Sequence, residues 1–441
     1  MITSIEIKGL YGLYDYKLNF LDENPVTIIT GPNGFGKTTL LKIISHLYSC
    51  NFWYFCILPF HSLFVSFTDK NNVVSFIEMF KGVIPEHQTE VSEEMVGSGK
   101  ELRVVYGQRT AEEDRIISDF ILGERYYLNV SQEVARRSRR HSVYPGRYKG
   151  MDDEKLFQTY YNLKSDDIIQ RKARNILMFF EDKQARFIQE QRCMITPNLS
   201  TVDDYSVSFY TYSIDEISDS LRQKFDVEQK NYAFFSQVVD SSFISRLLKQ
   251  DASITISRDD YEKRVIKLRM LINRLKRYNL VSDIKFAEED IEKYHDVLSL
   301  HLQDMELKLS SFNLFLKKLE LFEGLVNKNV LSNKEIYLDN RGIVIKNAVG
   351  ERVPLNKLSS GEQNLIIIYY RMAFDTAPGS LLLIDEPENS LHMAWLENML
   401  ADYIQMAKQL GCRILVATHS PAFINGHWEL TYDLFENNKQ N

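Results

Sequence analysis

Paired cysteines are missing from this chain. The four that occur, Cys50, Cys56, Cys193 and Cys412, form no C-x-x-C pair, which argues against a zinc clip. No secretory signal pattern accompanies them, so they read as reduced thiols of a cytoplasmic protein. A long apolar run is also missing. The most apolar stretch, Phe52 to Phe67, is broken by Pro59, His61 and Ser62 and falls short of the ~20 residues of a spanning helix. Buried strands are the reading it supports, and no membrane partner is expected. Charge of one sign is lacking too: 53 Lys and Arg against 60 Asp and Glu leave −7, which gives no global nucleic-acid signal and leaves only a local basic patch open. Internal repeats are not detectable. What remains is an ordinary globular composition, 44% hydrophobic and 26% charged over 441 residues. That length suits about two or three domains, or one domain with a large insertion.

The segment Ile2 to Phe20 alternates apolar and polar residues around Gly9 and Gly12, as an antiparallel hairpin does. Pro25 to Thr30 is a β-branched run that stops at Gly31, and Leu40 to Ile44 then has helical character. From Val73 to Asn333 glycine becomes sparse and amphipathic stretches appear: Asp166 to Arg192, Asp259 to Leu280 and Ala287 to Leu325 carry apolar residues at helical spacing. These predict a mainly helical insertion with an antiparallel helical hairpin. A coiled coil is one form open to it, although no heptad run is long enough to demand an extended one. Lys334 to Pro354 returns to alternation, with a turn at Asp339 to Gly342. A helix (Glu362 to Phe374), a strand (Ser380 to Ile384), a helix (Leu391 to Leu410) and a strand (Arg413 to Ala417) follow. The expected organisation is a head built from residues 1–72 and 334–441, with residues 73–333 inserted. Its fold class is α/β, a mixed sheet with helices. The segment Arg136 to Gly150, rich in Arg and Gly, reads as a loop.

Four motifs carry the chemistry. Gly31-Pro32-Asn33-Gly34-Phe35-Gly36-Lys37-Thr38-Thr39 lies between a strand and a helix, the context a phosphate loop requires. Glycine lets backbone N–H groups converge on a polyanion, and the helix that follows points a partial charge of ~+0.5 at it. Lys37 is expected to reach the β- and γ-phosphates and Thr38 to hold Mg²⁺. Asn33, Gly34, Gly36 and Thr39 complete the expected cradle for ATP. Leu381 to Ile384 is a buried strand running into Asp385 and Glu386. Asp385 is placed to bind Mg²⁺ and Glu386 to polarise an attacking water. His419 follows another apolar strand and is placed to link the γ-phosphate to that water. Ser360, Gly361 and Glu362 open a helix after Leu358-Ser359, an anion site by its geometry, although Ser before Glu is also an ordinary helix cap.

In this order the motifs resemble the ATP-binding-cassette ATPases: Thr30 to Thr39 is similar to their Walker A, Leu358 to Gln363 to their signature, Leu381 to Glu386 to their Walker B, and His419 to their switch histidine. The resemblance implies a P-loop ATPase head in which Ser360 and Gly361 of one subunit close over ATP bound to another. It also implies hydrolysis of ATP to ADP and phosphate, and at least a head-to-head dimer. Gln88 and Gln108 are the candidates for the Q-loop glutamine. The long insertion and the continuation Glu388-Asn389-Ser390-Leu391-His392 resemble the RecF, SMC and overcoming-lysogenization-defect branch rather than a transporter cassette. Relatives in the last family carry a Toprim nuclease after this point, whereas here only Pro421 to Asn441 remains. A nuclease is therefore expected on a separate polypeptide. The arrangement resembles the ATPase subunits of bacterial anti-phage systems, either the PARIS type (AriA, with a Toprim partner) or the Septu type (PtuA, with an HNH partner). The expected function is a sensor and scaffold that holds such an effector until a phage-encoded trigger arrives.

Two other functions compete with this one. A DNA-repair ATPase that clamps DNA would use Arg136, Arg137, Arg139, Arg140, Arg147 and Lys149 on phosphates, though a solvated loop accounts for the same run. A transporter cassette would show a clear Q-loop and no such insertion, and ranks last.

Overall fold

The computed structural model describes residues 2–20, 24–68, 73–81, 102–109, 114–122, 173–180, 183–188, 194–195, 211–248, 257–284, 294–389 and 391–439. The alternating N-terminal segment forms β1 (Ile2–Leu10) and β2 (Tyr14–Asn19), paired antiparallel as its pattern predicts. β3 (Val26–Thr30) follows and runs into the helix Lys37–Tyr48.

β4 (Ser62–Thr68), β5 (Val74–Lys81), β6 (Leu102–Arg109) and β7 (Asp114–Leu122) add to β1, giving an antiparallel sheet in the order β2-β1-β4-β5-β6-β7. Two expectations are corrected here. The described residues between 73 and 122 are strands, not helix: Val-Ser-Phe-Ile-Glu-Met-Phe-Lys is rich in β-branched and aromatic side chains, which fit a half-buried pleated surface. A boundary at residue 73 thus falls inside one sheet. Conversely Phe52–Ile57, read as strand, is a short helix whose Phe52 and Phe55 are buried against that sheet, with Phe52 edge-on to Phe120 at 5.9 Å. A short apolar run does not distinguish the two by periodicity.

β8 (Ala185–Ile188) is the third correction. It lies within the stretch read as one amphipathic helix, of which only Arg174–Phe180 is helical among the described residues. β9 (Met194–Ile195) and β10 (Thr211–Tyr212) make a small pair. The helices Ser213–Leu248, Arg258–Arg277, His295–Ser310 and Asn313–Asn329 then form the expected helical part. Arg246 is bidentate to Asp304 at 2.6 and 2.7 Å, and Arg274 Nε reaches Glu320 at 2.7 Å, so ion pairs cross between these helices. Gln88 and the segment Arg136 to Gly150 lie outside the described residues; Gln108 sits in β6, opposite Ser75 of β5 and Arg115 of β7.

The second alternating segment forms β11 (Lys334–Asp339), β12 (Gly342–Asn347) and β13 (Arg352–Val353), an antiparallel sheet leading to the helix Ser360–Phe374. β14 (Leu381–Asp385), the helix Met393–Leu410, β15 (Arg413–Ala417) and β16 (Thr431–Asp433) complete the chain's regular core.

β3, β8, β14, β15 and β16 form one parallel sheet in the order β16-β3-β15-β14-β8. Its central strands are mostly aliphatic because both faces are covered. Ile29, Leu381, Leu383, Leu415 and Ala417 face a core shared with Leu40, Leu41 and Ile44 of the helix after β3. The alternate residues Val26, Ile28, Leu382, Ile384, Ile414 and Val416 face the other core, with Met399, Leu400 and Tyr403. The period-2 alternation of a strand thus divides one sheet between two cores. Among the described residues, no helix is long and apolar enough to cross a membrane.

Candidate functional site

β15 lies between β3 and β14, with Ala417 opposite Ile29 on one side and Asp385 on the other. The register is carried beyond the strands: the Thr418 amide donates to the Ile29 carbonyl at 3.0 Å, and the Glu386 amide to the Ala417 carbonyl at 2.9 Å. Three sequence motifs far apart in the chain therefore leave one sheet edge at one level. This is the C-terminal edge of a parallel sheet, where ligands of such folds bind.

At β3 the chain turns through Gly31, Gly34 and Gly36, with φ of 145°, 89° and 81°. A Cβ at Gly34 would meet nothing within 4 Å, so glycine is needed there for its backbone conformation and not for space. Phe35 pins the loop, packing on Tyr14 at 5.4 Å and on Phe435 at 5.6 Å, while the Tyr16 hydroxyl donates to its carbonyl at 2.7 Å. Burial, and then the neighbouring Tyr14, push the Tyr16 phenol upward, so it remains a donor. Lys37 is buried and donates to the carbonyls of Gly31 at 2.7 Å and Pro32 at 3.1 Å. Asn33, Gly34 and Thr38 are exposed, and the half-buried Thr39 bonds the Tyr11 hydroxyl at 3.1 Å. A loop of positive-φ glycines opening a helix, with an ammonium beside it, fits a triphosphate.

At β14 Asp385 ends the strand and is buried. Glu386 turns away in the left-handed region, φ 42°, an uncommon backbone for a residue with a Cβ. Its carboxylate accepts from Asn389 Nδ2 at 3.0 Å and lies 3.7 Å from His419 Nδ1. The hydroxyl of Thr38 and the carboxylate of Asp385 are hard oxygen donors of the kind Mg²⁺ takes.

The sequence pattern did not single out Glu388 as a member of the site. It is buried, and its Oε1 accepts from the Thr418 hydroxyl and from the His419 amide at 3.1 Å, with His419 Nδ1 at 3.4 Å. Asn389 was missed as well. The spacing Asp-Glu-Pro-Glu-Asn was the available signal, but pairing across to residue 418 is not visible locally.

The other expected anion site is the start of the helix Ser360–Phe374. Ser359 caps it in a capping box with Glu362, its hydroxyl accepting from the Glu362 amide at 3.3 Å and its own amide donating to Glu362 Oε2 at 2.9 Å. Lys334 Nζ holds the other oxygen, Oε1, at 2.7 Å. Glu362 was expected at the nucleotide; within the chain both its oxygens are engaged, by Lys334 and by Ser359. Ser359 and Ser360 are exposed and Gly361 is buried.

A 49-residue stretch is 43% identical to the Septu protein PtuA of Bacillus thuringiensis, covering 11% of this chain and 12% of that relative. The chain thus matches about an eighth of the curated relative's length. Two solved structures align over most of the chain. One is the Smc head domain with an extended coiled coil bound to the C-terminal domain of ScpA, derived from Pyrococcus furiosus (TM-score 0.35, 14% identity, 96% of this chain and 91% of that one). The other is the SmcHead bound to the C-winged helix domain of ScpA (TM-score 0.38, 12% identity, 96% and 90%). The model of the AAA ATPase domain family matches residues 1–424, and the chain, an α/β P-loop protein, belongs to that family.

Proposed function

We propose that the chain binds and hydrolyses ATP in the manner of an ABC-type ATPase head. The observation that carries this reading is the convergence of Lys37, Glu386 and His419 at the ends of three neighbouring parallel strands. Amides of Asn33, Gly34 and Gly36 and the first turn at Lys37, Thr38 and Thr39 hold the phosphates. Thr38 and Asp385 would hold Mg²⁺, which supplies charge neutralisation between the phosphates when bound. Glu386 orients and deprotonates the attacking water, and His419 contacts the γ-phosphate. Ser360, exposed at the helix start, and the amide of Gly361 beside it complete the site of a second copy.

The reading extends to a larger role: a sensor and scaffold that oligomerises and controls a separate nuclease effector in anti-phage defence, inside the cytoplasm. Its support is the Septu PtuA similarity together with the motif pattern. The effector class, HNH or Toprim, separates a Septu-type from a PARIS-type system.

One experiment tests both levels. The chain is expressed with its genomic neighbours, purified, and its mass and phosphate release are measured with and without ATP. ATP turnover by a homo-oligomer carrying a nuclease is the expected result. No turnover removes the enzyme. Turnover by a bare dimer that retains DNA in a salt-sensitive manner replaces the defence role with a DNA clamp.

A further inference from the structure

Glu388 sits one turn beyond the catalytic strand, where its carbonyl accepts the Leu391 amide at 3.1 Å. Its side chain points back under the sheet edge and is 6% exposed. An ionisable carboxylate is not placed there without compensation. The compensation comes from the neighbouring strand exit. The Thr418 hydroxyl, wholly buried, donates to Oε1, and so does the His419 amide at 3.1 Å. Thr418 passes the constraint on, because its hydroxyl accepts the Ser420 amide at 3.0 Å, and Ser420 Oγ accepts the Phe423 amide at 3.4 Å as a helix cap. The second oxygen, Oε2, is buried and has no hydrogen-bond partner among the described residues. The His419 ring, 48% exposed, stands with Nδ1 3.4 Å from the same Oε1 while its backbone is pinned.

We propose that Glu388 is the positioning residue of the γ-phosphate switch: it binds the Thr418–His419 backbone to the turn after Asp385 and Glu386, so that the imidazole and the Glu386 carboxylate keep a fixed separation. Direct acid–base work by Glu388 is disfavoured by its burial and by the two donors on its Oε1. The proposal deepens the ATPase reading of this site and rests on it. A displacement of about 1 Å in such a pair lowers turnover by about 100-fold without weakening ground-state binding.

Glu388→Gln and Glu388→Ala separate the possibilities. Glutamine keeps an acceptor at the Oε1 position for both donors and removes the charge, whereas alanine removes the acceptor. Three quantities are measured on the full chain: kcat, the dissociation constant of ATP, and hydrogen exchange of the His419 amide. Glu388→Ala is expected to lower kcat by about 10- to 100-fold and to speed exchange at His419 by about 10-fold, with ATP affinity within about 2-fold of wild type. Glu388→Gln is expected to restore kcat to within about 3-fold and the exchange rate to the wild-type value. Thr418→Val keeps the volume and removes only the hydroxyl, and is expected to give a smaller kcat loss of the same kind, which covers the case of an alanine variant that does not fold. Equal inactivation by Gln and Ala with an unchanged His419 amide would make Glu388 an acid–base group and overturn the proposal. An exchange rate unmoved in Glu388→Ala and Thr418→Val overturns it as well. The expected exchange pattern in a wild-type protein that turns over no ATP upholds the positioning contact and removes the ATPase reading alone.

Discussion

Lys37 donates to the Gly31 carbonyl at 2.7 Å, six residues back along its own loop. The ammonium also donates to the Pro32 carbonyl at 3.1 Å, which accepts the Phe35 amide at 3.4 Å as well. These bonds brace the loop from within, and in the proposed reading the same ammonium contacts the phosphates. Lys37→Ala is expected to weaken ATP by at least about 100-fold, because charge-assisted bonds to phosphate are the strong ones. It also takes the ammonium from the Gly31 carbonyl and one of two donors from that of Pro32, a destabilisation of about 1–3 kcal/mol. Calorimetric titration with ATP and thermal melting measure the two effects; unchanged ATP affinity would move the site elsewhere.

The strand–loop–helix around Gly31 to Thr39 and the aliphatic strands before Asp385 and Thr418 were legible because each is a local pattern: a glycine spacing, or a run with no polar face. The hairpins at Ile2 to Phe20 and Lys334 to Pro354 were legible for the same reason. β8 was not. Ala185-Arg186-Phe187-Ile188 has the mixed polarity of a helix face, and only its pairing with Leu381 to Ile384, nearly two hundred residues on, makes it a strand. Long-range parallel pairing leaves no local mark. Glu388 is the same case at the site: its partners are Thr418 and His419, and nothing near residue 388 announces them.

Glu386 is held by Asn389 Nδ2 at 3.0 Å and stands 3.7 Å from the His419 ring. Glu386→Gln keeps the size and removes the base, so ATP should bind normally while phosphate release falls by at least about 100-fold. The ATP-bound oligomer should then accumulate, which mass photometry detects. Retained turnover would assign the base to another group.

Asn389→Ala removes the donor that orients Glu386. The carboxylate remains and only its direction is lost, so kcat is expected to fall by about 3- to 30-fold with little change in ATP affinity. Steady-state kinetics alongside Glu386→Gln distinguish a misdirected base from an absent one; a loss confined to affinity would contradict the orienting role.

Lys334 ties β11 to the start of the helix Ser360–Phe374 through Glu362. Burial alone would raise the Glu362 carboxyl, but the bonds from Lys334 and from the Ser359 amide and hydroxyl outweigh it and hold it below its ordinary 4.5. A carboxylate with a depressed folded-state pKa contributes stability that is fully present above the unfolded value and is lost as pH falls through the folded one. Lys334→Ala should therefore cost about 1–2 kcal/mol at pH ~7, with the gap to wild type closing as the pH drops below ~4.5. Melting curves from neutral to acid pH give the comparison, and a gap that stayed constant across that range would show that the pair contributes through packing and not through charge.

Ser360 is exposed at the first turn of the helix that Glu362 and Ser359 cap. Its amide and that of Gly361 are among the helix-start donors, which lack intrahelical partners, so the surface is suited to a phosphate approaching from outside. In the proposed arrangement Lys37 of one chain holds ATP and this helix start of a second chain closes over it. Ser360→Arg puts a long side chain where the second copy must close, while leaving the phosphate loop untouched. The variant should bind ATP with wild-type affinity as a monomer and fail to assemble in its presence, with turnover down by at least about 10-fold because the site is never completed. Sedimentation with and without ATP, run beside nucleotide titration, reads both properties. Loss of ATP binding in the monomer to the same degree as loss of assembly would place Ser360 at its own chain's nucleotide and end the two-chain arrangement.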